Sequence, residues 1–278
     1  MYLDQSENIA QDRTRYTSMQ TPRQAQKTKT LANYRQIGVV LLLILAQISP
    51  ILVFAKESRR KLSITVPFMV QAPTANWDEP FQNTCEETAA LMVGFWANSE
   101  AIPSQKNKQE TLLKDLVEWE NKKFGSYIDT DTEQTSTILI EYFKAPQVEI
   151  VSKPDVTMIK NVLLNNGLVI VPTSGRALGN KYFRGEGPLY HMLVIKGFDD
   201  KKKEFITNDP GTKRGYGFRY KYDIIINAIA DWDHTIDTVN PETPKMIVVY
   251  KSDSSKLSLQ EDEDNPFSFS SLLSLFDL

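Results

Sequence analysis

The sequence predicts an α+β domain in which a helix carrying the only cysteine packs on an antiparallel sheet carrying a histidine and an aspartate. Three observations lead there. Cys85 opens an apolar, helix-like stretch after a loop rich in Pro and aromatic residues. His191 stands at the start of the β-rich run Tyr190-His191-Met192-Leu193-Val194-Ile195. That run turns through Asp199-Asp200-Lys201 and returns to Asn208-Asp209-Pro210.

The 278 residues, 41% hydrophobic and 24% charged, suit an ordinary globular protein with one core of roughly 200 residues. The net charge is −3. Residues 1–55 carry six Lys/Arg against three Asp/Glu, leaving 26 against 32, so no nucleic-acid partner is expected. One Cys excludes an intrachain disulfide, and with two His it offers no zinc cluster, so neither metal nor other cofactor is expected.

Residues 1–36 are polar, rich in Gln, Thr and Arg, and without apolar periodicity, which predicts disorder. Residues 37–55 carry no charge and are flanked by Arg35 and by Lys56, Arg59 and Arg60. Their length fits a signal-peptide core with Val53-Phe54-Ala55 as cleavage site, or a single membrane span weakened by Gln47 and Pro50. A buried core helix lacks an amphipathic neighbour to pack against. Positive charge on both sides leaves orientation open. Export of the following domain is expected, as a single-anchor protein of the cell membrane or as a secreted one. A free thiol in such oxidising surroundings points to chemistry.

Residues 63–70 alternate as a first strand ending near Gln71, and the following loop holds Trp77, Phe81 and two prolines. Ala89, Ala90, Leu91, Met92, Phe95 and Trp96 give the next helix one apolar stripe, closed by Asn98 and Ser99. Cys85 therefore falls at the N-cap or first turn, where unpaired N–H groups and the helix dipole favour thiolate. Glu86 and Glu87 suit a helix start yet oppose ionisation of a neighbouring thiol, so an imidazole is needed. Taken alone, a free Cys reads as a small buried hydrophobe.

Residues 109–124 form a packing helix ended by Gly125, and a short helix from Thr132 is stopped by Pro146. A strand over 148–151, a helix over 155–164 and an apolar strand over 168–171 follow. Residues 172–188 read as a loop with four glycines and Arg176, Lys181 and Arg184, either a rim beside a cleft or a solvated insertion.

If the hairpin after Tyr190 is centred near residue 200, His191 lies opposite Asp209, within reach for a base held by an orienting acid. A slip of one residue brings Asn208 there instead. His234, between Asp231 and Asp233 and after a helix over 223–230, reads as a surface residue. Strands over 216–220 and 244–250 complete the sheet, and residues 252–278 form a mobile acidic tail in which 267–275 has the makings of a short helix.

The pattern Val66-Pro67-Phe68, Gln71, Pro73, Asn76-Trp77, Cys85-Glu86-Glu87 and Leu91-Met92, then His191-Met192-Leu193-Val194-Ile195 with Gly197-Phe198-Asp199, then Asn208-Asp209-Pro210-Gly211-Thr212, resembles the bacterial papain-like cysteine peptidases related to bacteriocin leader-processing (double-glycine) domains. The resemblance spans roughly residues 64–250. It implies a papain-like fold for the domain over 62–251, with Cys85 as nucleophile, His191 as base and Asp209 as its orienting acid. It also implies an upstream glutamine in the oxyanion hole. Gln71 matches the strand-end position, whereas Gln82 is nearer the thiol in sequence. Glu86 stands where many relatives have Gly, and no transporter segment or ATPase motif follows in this chain, so a place as an exporter's processing domain is not expected.

The sequence therefore reads as a thiol hydrolase of peptide bonds with a peptide or protein substrate, held by Trp77, Arg176 and Tyr190. A cell-wall amidase and a catalytically silent peptide-binding module are the alternatives.

Overall fold

The structure is a computed structural model that describes residues 61–251; the readings for 1–36, 37–55 and 252–278 lie outside the described residues. Its frame is a seven-stranded antiparallel sheet in the order β2-β9-β3-β4-β5-β6, with β1 also paired to β4. The strands are β1 (Lys61–Ser63), β2 (Gln147–Ser152), β3 (Leu168–Ser174), β4 (Tyr190–Asp199), β5 (Glu204–Asn208), β6 (Tyr216–Lys221) and β9 (Lys245–Tyr250). A separate hairpin joins β7 (Asp231–Asp233) to β8 (Thr238–Asn240).

Every residue of β4 is buried, as expected for a central strand covered on both faces. The period-two alternation of side chains sends Leu168, Ile170, Met192 and Val194 into one core and Val169, Val171, Leu193 and Ile195 into the other. The first core is closed by α1 (Cys85–Ala97) with α2 (Lys106–Phe124) and α3 (Thr132–Thr137), which runs on into one π-helical turn over Ile138–Tyr142. The second is closed by α4 (Val156–Leu164), α5 (Gly175–Leu178) and α6 (Tyr222–Ala228).

α1 departs from the expected one-sided stripe. All its residues except Phe95 are buried, so it is a central helix, and Glu86 and Glu87 are drawn inside with it. Gly94 allows that burial: a Cβ there would stand 2.3 Å from the Phe143 ring. α2 is amphipathic as predicted, with Leu113, Leu116 and Val117 buried, and Gly125 at φ +88° ends it.

Two further expectations are corrected. The strand read over 63–70 pairs only through Ser63, followed by one more bond from Ile64 N–H to Lys196 O at 2.8 Å. Pro67, which has no N–H to offer a ladder, instead gives its carbonyl to the Asn208 side chain at 3.2 Å. The loop read over 172–188 begins late, because β3 continues through Pro172 to Ser174 and α5 follows. Proline is tolerated there because β9 pairs with β3 only from Leu168 to Ile170, leaving no ladder partner on that side of Pro172. Its carbonyl accepts from Ala230 N–H at 3.1 Å.

Candidate active site

Cys85 is the first residue of α1, brought there by a loop folded on Gln71. Gln71 is buried; its backbone N–H donates to Pro210 O at 3.1 Å, and its Nε2 donates to Phe81 O and Gln82 O, both at 3.0 Å. The glutamine thereby ties the loop before the cysteine to the segment after Asp209. Thr84 precedes the helix, and its carbonyl accepts from Thr88 Oγ1 at 2.5 Å.

The imidazole is built from the other side. His191 lies on β4 and is 1% exposed; its carbonyl accepts from Thr173 Oγ1 at 2.8 Å. Its Nε2 lies 2.9 Å from Asp209 Oδ1. The route to this pairing differs from the one read in the sequence. The hairpin register is Val194 with Asn208 and Ile195 with Thr207, and a bulge between Ile195 and Gly197 shifts it by one, so Asp209 is not directly opposed to His191. β5 ends at Asn208, and the aspartate reaches the ring from beyond the strand. Asn208, opposite Val194, turns its side chain to Pro67 O and to the N–H of Gly217.

Asp209 is wholly buried, which alone would push its pKa up. The imidazole of His191, the hydroxyl of Tyr220 and the N–H of Gly211 outweigh burial and hold the carboxyl below its ordinary value. The contacts are full: Oδ1 accepts from Gly211 N–H at 3.0 Å, and Oδ2 from Tyr220 Oη at 2.6 Å and Asn180 Nδ2 at 3.0 Å. Neither Tyr220 nor Asn180 was singled out in the sequence. A β5–β6 hairpin over residues 204–221 was the signal for the tyrosine; Asn180, lodged in the Gly-rich segment, had none.

Cys85 and His191 line one cleft of about 570 Å³. Cys85 is 6% exposed, and its sulfur makes its hydrogen bond with Glu86, Sγ donating to Oε2 at 3.0 Å, rather than with the imidazole. Burial and then the Glu86 carboxylate push the Cys85 thiol well above its ordinary pKa, against the lowering expected at a helix start. Burial likewise pushes Glu86 up to about 8.

Of the other candidates, Gln82, Trp77 and Tyr190 line the cleft. Trp77 is half-exposed, whereas Tyr190 is buried and donates to Thr130 O at 2.9 Å. Gln82 donates to Glu79 Oε1 at 2.5 Å. Arg176 is not brought to the cleft: it is exposed on α5, because β3 and α5 take up the chain before the loop begins, and Arg184 stands at the cleft instead. His234 is exposed beside Gln134 and Asp131, as read. Among the described residues no three His, Cys, Asp or Glu side chains cluster as a metal site, and no helix is long and apolar enough to cross a membrane.

Comparison with known proteins defines the class of this domain. The Peptidase_C39-like family model matches residues 63–238, which take in the cysteine, the histidine and the aspartate. The chain belongs to that family, whose membership points to a cysteine-type peptidase, and its helices on an antiparallel sheet are consistent with the family's fold. A solved structure described as a candidate C39-like peptidase from Bacillus anthracis is similar at 13% identity and a TM-score of 0.45, covering 70% of this chain and 99% of that one. No curated protein matches the sequence.

Proposed function

We propose that this chain is a thiol peptidase that cleaves peptide or protein substrates outside the cytoplasmic membrane, with Cys85 as nucleophile, His191 as base and Asp209 as the acid that orients the ring. The observation carrying this reading is the buried His191–Asp209 pair at 2.9 Å, opening on the cleft that also holds a cysteine at a helix start. With Nε2 turned to Asp209, Nδ1 is the ring nitrogen left for the thiol. The thiol passes its proton to Nδ1, sulfur attacks the carbonyl carbon, and the imidazolium returns the proton to the departing amine. Water then releases the acyl group by the same route. Trp77 and Phe183 give the cleft aromatic walls against which a peptide can lie. Residues 37–55 deliver the domain, as an anchor or as a signal.

The test is cleavage profiling of the full chain, Cys85→Ser and His191→Ala on a diverse peptide library, together with iodoacetamide labelling of Cys85. Cleavage by the wild type alone, with labelling slowed by loss of His191, supports the reading. Equal labelling of wild type and His191→Ala at every pH sinks it. A second reading, a peptide-binding module without turnover, is favoured by the bond from Cys85 to Glu86 in place of His191. Peptide retention without cleavage would select it.

A further inference from the structure

The two sides of the cleft differ in charge. Its acids lie on the sulfur side: Glu86 touches Sγ, and Asp129 stands near enough to Glu86 for the two charges to repel. The segment from Asn180 to Pro188 builds the histidine side and brings Tyr182, Phe183 and Arg184 to the cleft. That segment is fixed to the His191–Asp209 pair. Asn180 Nδ2 donates to Asp209 Oδ2 at 3.0 Å and to Tyr220 Oη at 2.7 Å, while Asn180 O and Oδ1 accept from the N–H groups of Phe183 at 2.9 Å and Tyr182 at 3.0 Å. Phe183 packs edge-on to His191, with ring centroids 5.0 Å apart. Arg184 is the next residue, so its place beside the imidazole is set by the same contacts.

Three cations gather there without an anion. Arg184 is exposed at the cleft, and Lys181 Nζ and the Arg214 guanidinium stand 5.2 and 4.7 Å from the centre of the Tyr182 ring. Ion pairs among the described residues engage Lys122, Lys123, Lys160, Arg219, Lys221 and Lys245, and none of these three. A single acid, Glu186, lies in the same segment. An unpaired guanidinium presents a planar fork of donors that matches a carboxylate. Its neighbour decides which part of the substrate it meets: His191 gives its proton to the departing amine, so the half of the substrate that leaves as amine lies against this side.

We propose that Arg184 determines specificity by taking a carboxylate that the substrate carries within the first two residues after the scissile bond, with Lys181 and Arg214 supplying the surrounding positive field. This rests on the thiol-peptidase reading above. The carboxylate is an Asp or Glu side chain or the free end of a short peptide, and the chemistry at Arg184 is the same for both. No bond forms or breaks there; the guanidinium orients the leaving half so that its nitrogen faces the ring.

The test uses the full chain and a peptide library randomised on both sides of the bond, as free acids and as C-terminal amides. Cuts should be enriched one or two residues before Asp, Glu or a free C-terminus. For the best substrate so found, a matched pair with carboxylate or amide at that place gives the quantity to follow. Wild type should favour the carboxylate about 10-fold in kcat/KM, as for a hydrogen bond between charged groups. Arg184→Ala should bring the ratio close to 1, and Arg184→Glu should bring it below 1. Arg184 is exposed, so both variants test recognition rather than folding. A preference that survives amidation of the C-terminus assigns the carboxylate to a side chain, and one that is lost assigns it to the chain end; either supports the proposal. A wild-type ratio near 1, or a ratio unchanged in both variants, overturns it. Absence of any cleavage by the wild type, or cleavage that persists in Cys85→Ser, would instead overturn the peptidase reading, and this inference with it.

Discussion

The hydroxyl of Tyr220 lies 2.6 Å from Oδ2 of Asp209, on the oxygen that His191 does not use. It is a donor to a buried anion, and such bonds contribute about 1.5–3 kcal/mol. Tyr220→Phe removes one favourable contact from the ionised form, so Asp209 should titrate at higher pH. A carboxyl whose folded pKa is depressed stabilises the fold above its unfolded pKa, and loses that contribution as pH falls through the folded value. The variant should therefore unfold at a higher pH on acidification, and the acid limb of Cys85 alkylation should move the same way. Acid titration followed by circular dichroism, alongside iodoacetamide rates, checks both; coincident curves for variant and wild type would refute the prediction.

Gly211 is needed for the approach of three groups. A Cβ there would stand 2.9 Å from Phe183, 3.0 Å from Cε1 of His191 and 3.3 Å from Oδ1 of Asp209. Gly211→Ala should displace the imidazole while the fold survives, since overpacking of one methyl costs about 1–3 kcal/mol. The expected result is slower alkylation of Cys85 with a modest loss of melting temperature. His191 ring resonances in a proton NMR spectrum should move.

Glu87 and Glu120 are buried neighbours, and none of their four carboxyl oxygens has a hydrogen-bond partner in the described structure. Burial pushes Glu120 up to about 9. For an acid whose folded pKa is raised, the unfolded chain releases its proton first as pH rises, so stability falls from about pH 4.5 until the folded group also ionises near 9. Glu120→Gln keeps the shape and removes the titration. It should stabilise the protein at pH 8 by roughly 2–4 kcal/mol and flatten its stability between pH 5 and 8. Urea denaturation at several pH values measures this, and a slope unchanged by the substitution would count against it.

Gly94→Ala sets two effects against each other. Alanine favours the helix by about 1 kcal/mol over glycine. The new methyl, however, would overlap the Phe143 ring, with Cγ at 2.3 Å and Cδ1 at 2.4 Å, and neither is a freely moving atom. Overpacking should win, destabilising the chain by about 1–2 kcal/mol. Combining it with Phe143→Leu should cost less than the sum of the two single changes, because they share one contact. Strict additivity in denaturant melts would show that the contact is not the cause.

How much of this could be read from sequence depends on what each residue's signal encodes. β4 was legible because a continuous apolar run needs no partner to declare itself, and α2 because its stripe and Gly125 are local features. The association of His191 with Asp209 was legible from a hairpin count, but its geometry was not, since a bulge is set by packing rather than composition. Glu86 and Glu87 looked like helix-start acids; that α1 is enclosed on all sides depends on α2, the π-helical turn and the sheet together. Arg176 was placed at the cleft because Pro172 looked like the end of a strand, and only the length of β9 shows why it is not.

β4 has two partners along one side: β3 as far as Ile195, and β1 from Gly197 to Asp199. The short β1 thus works as a zip closing the upper half of the strand that carries His191, seated so tightly that a Cβ on Gly197 would lie 2.3 Å from Leu62 O. A chain trimmed beyond Ser63 would bare those amides and carbonyls in the middle of the molecule rather than at its margin. The gap would offer a slot to any extended foreign strand, so loss of the residues ahead of Ile64 would leave the domain prone to self-capture.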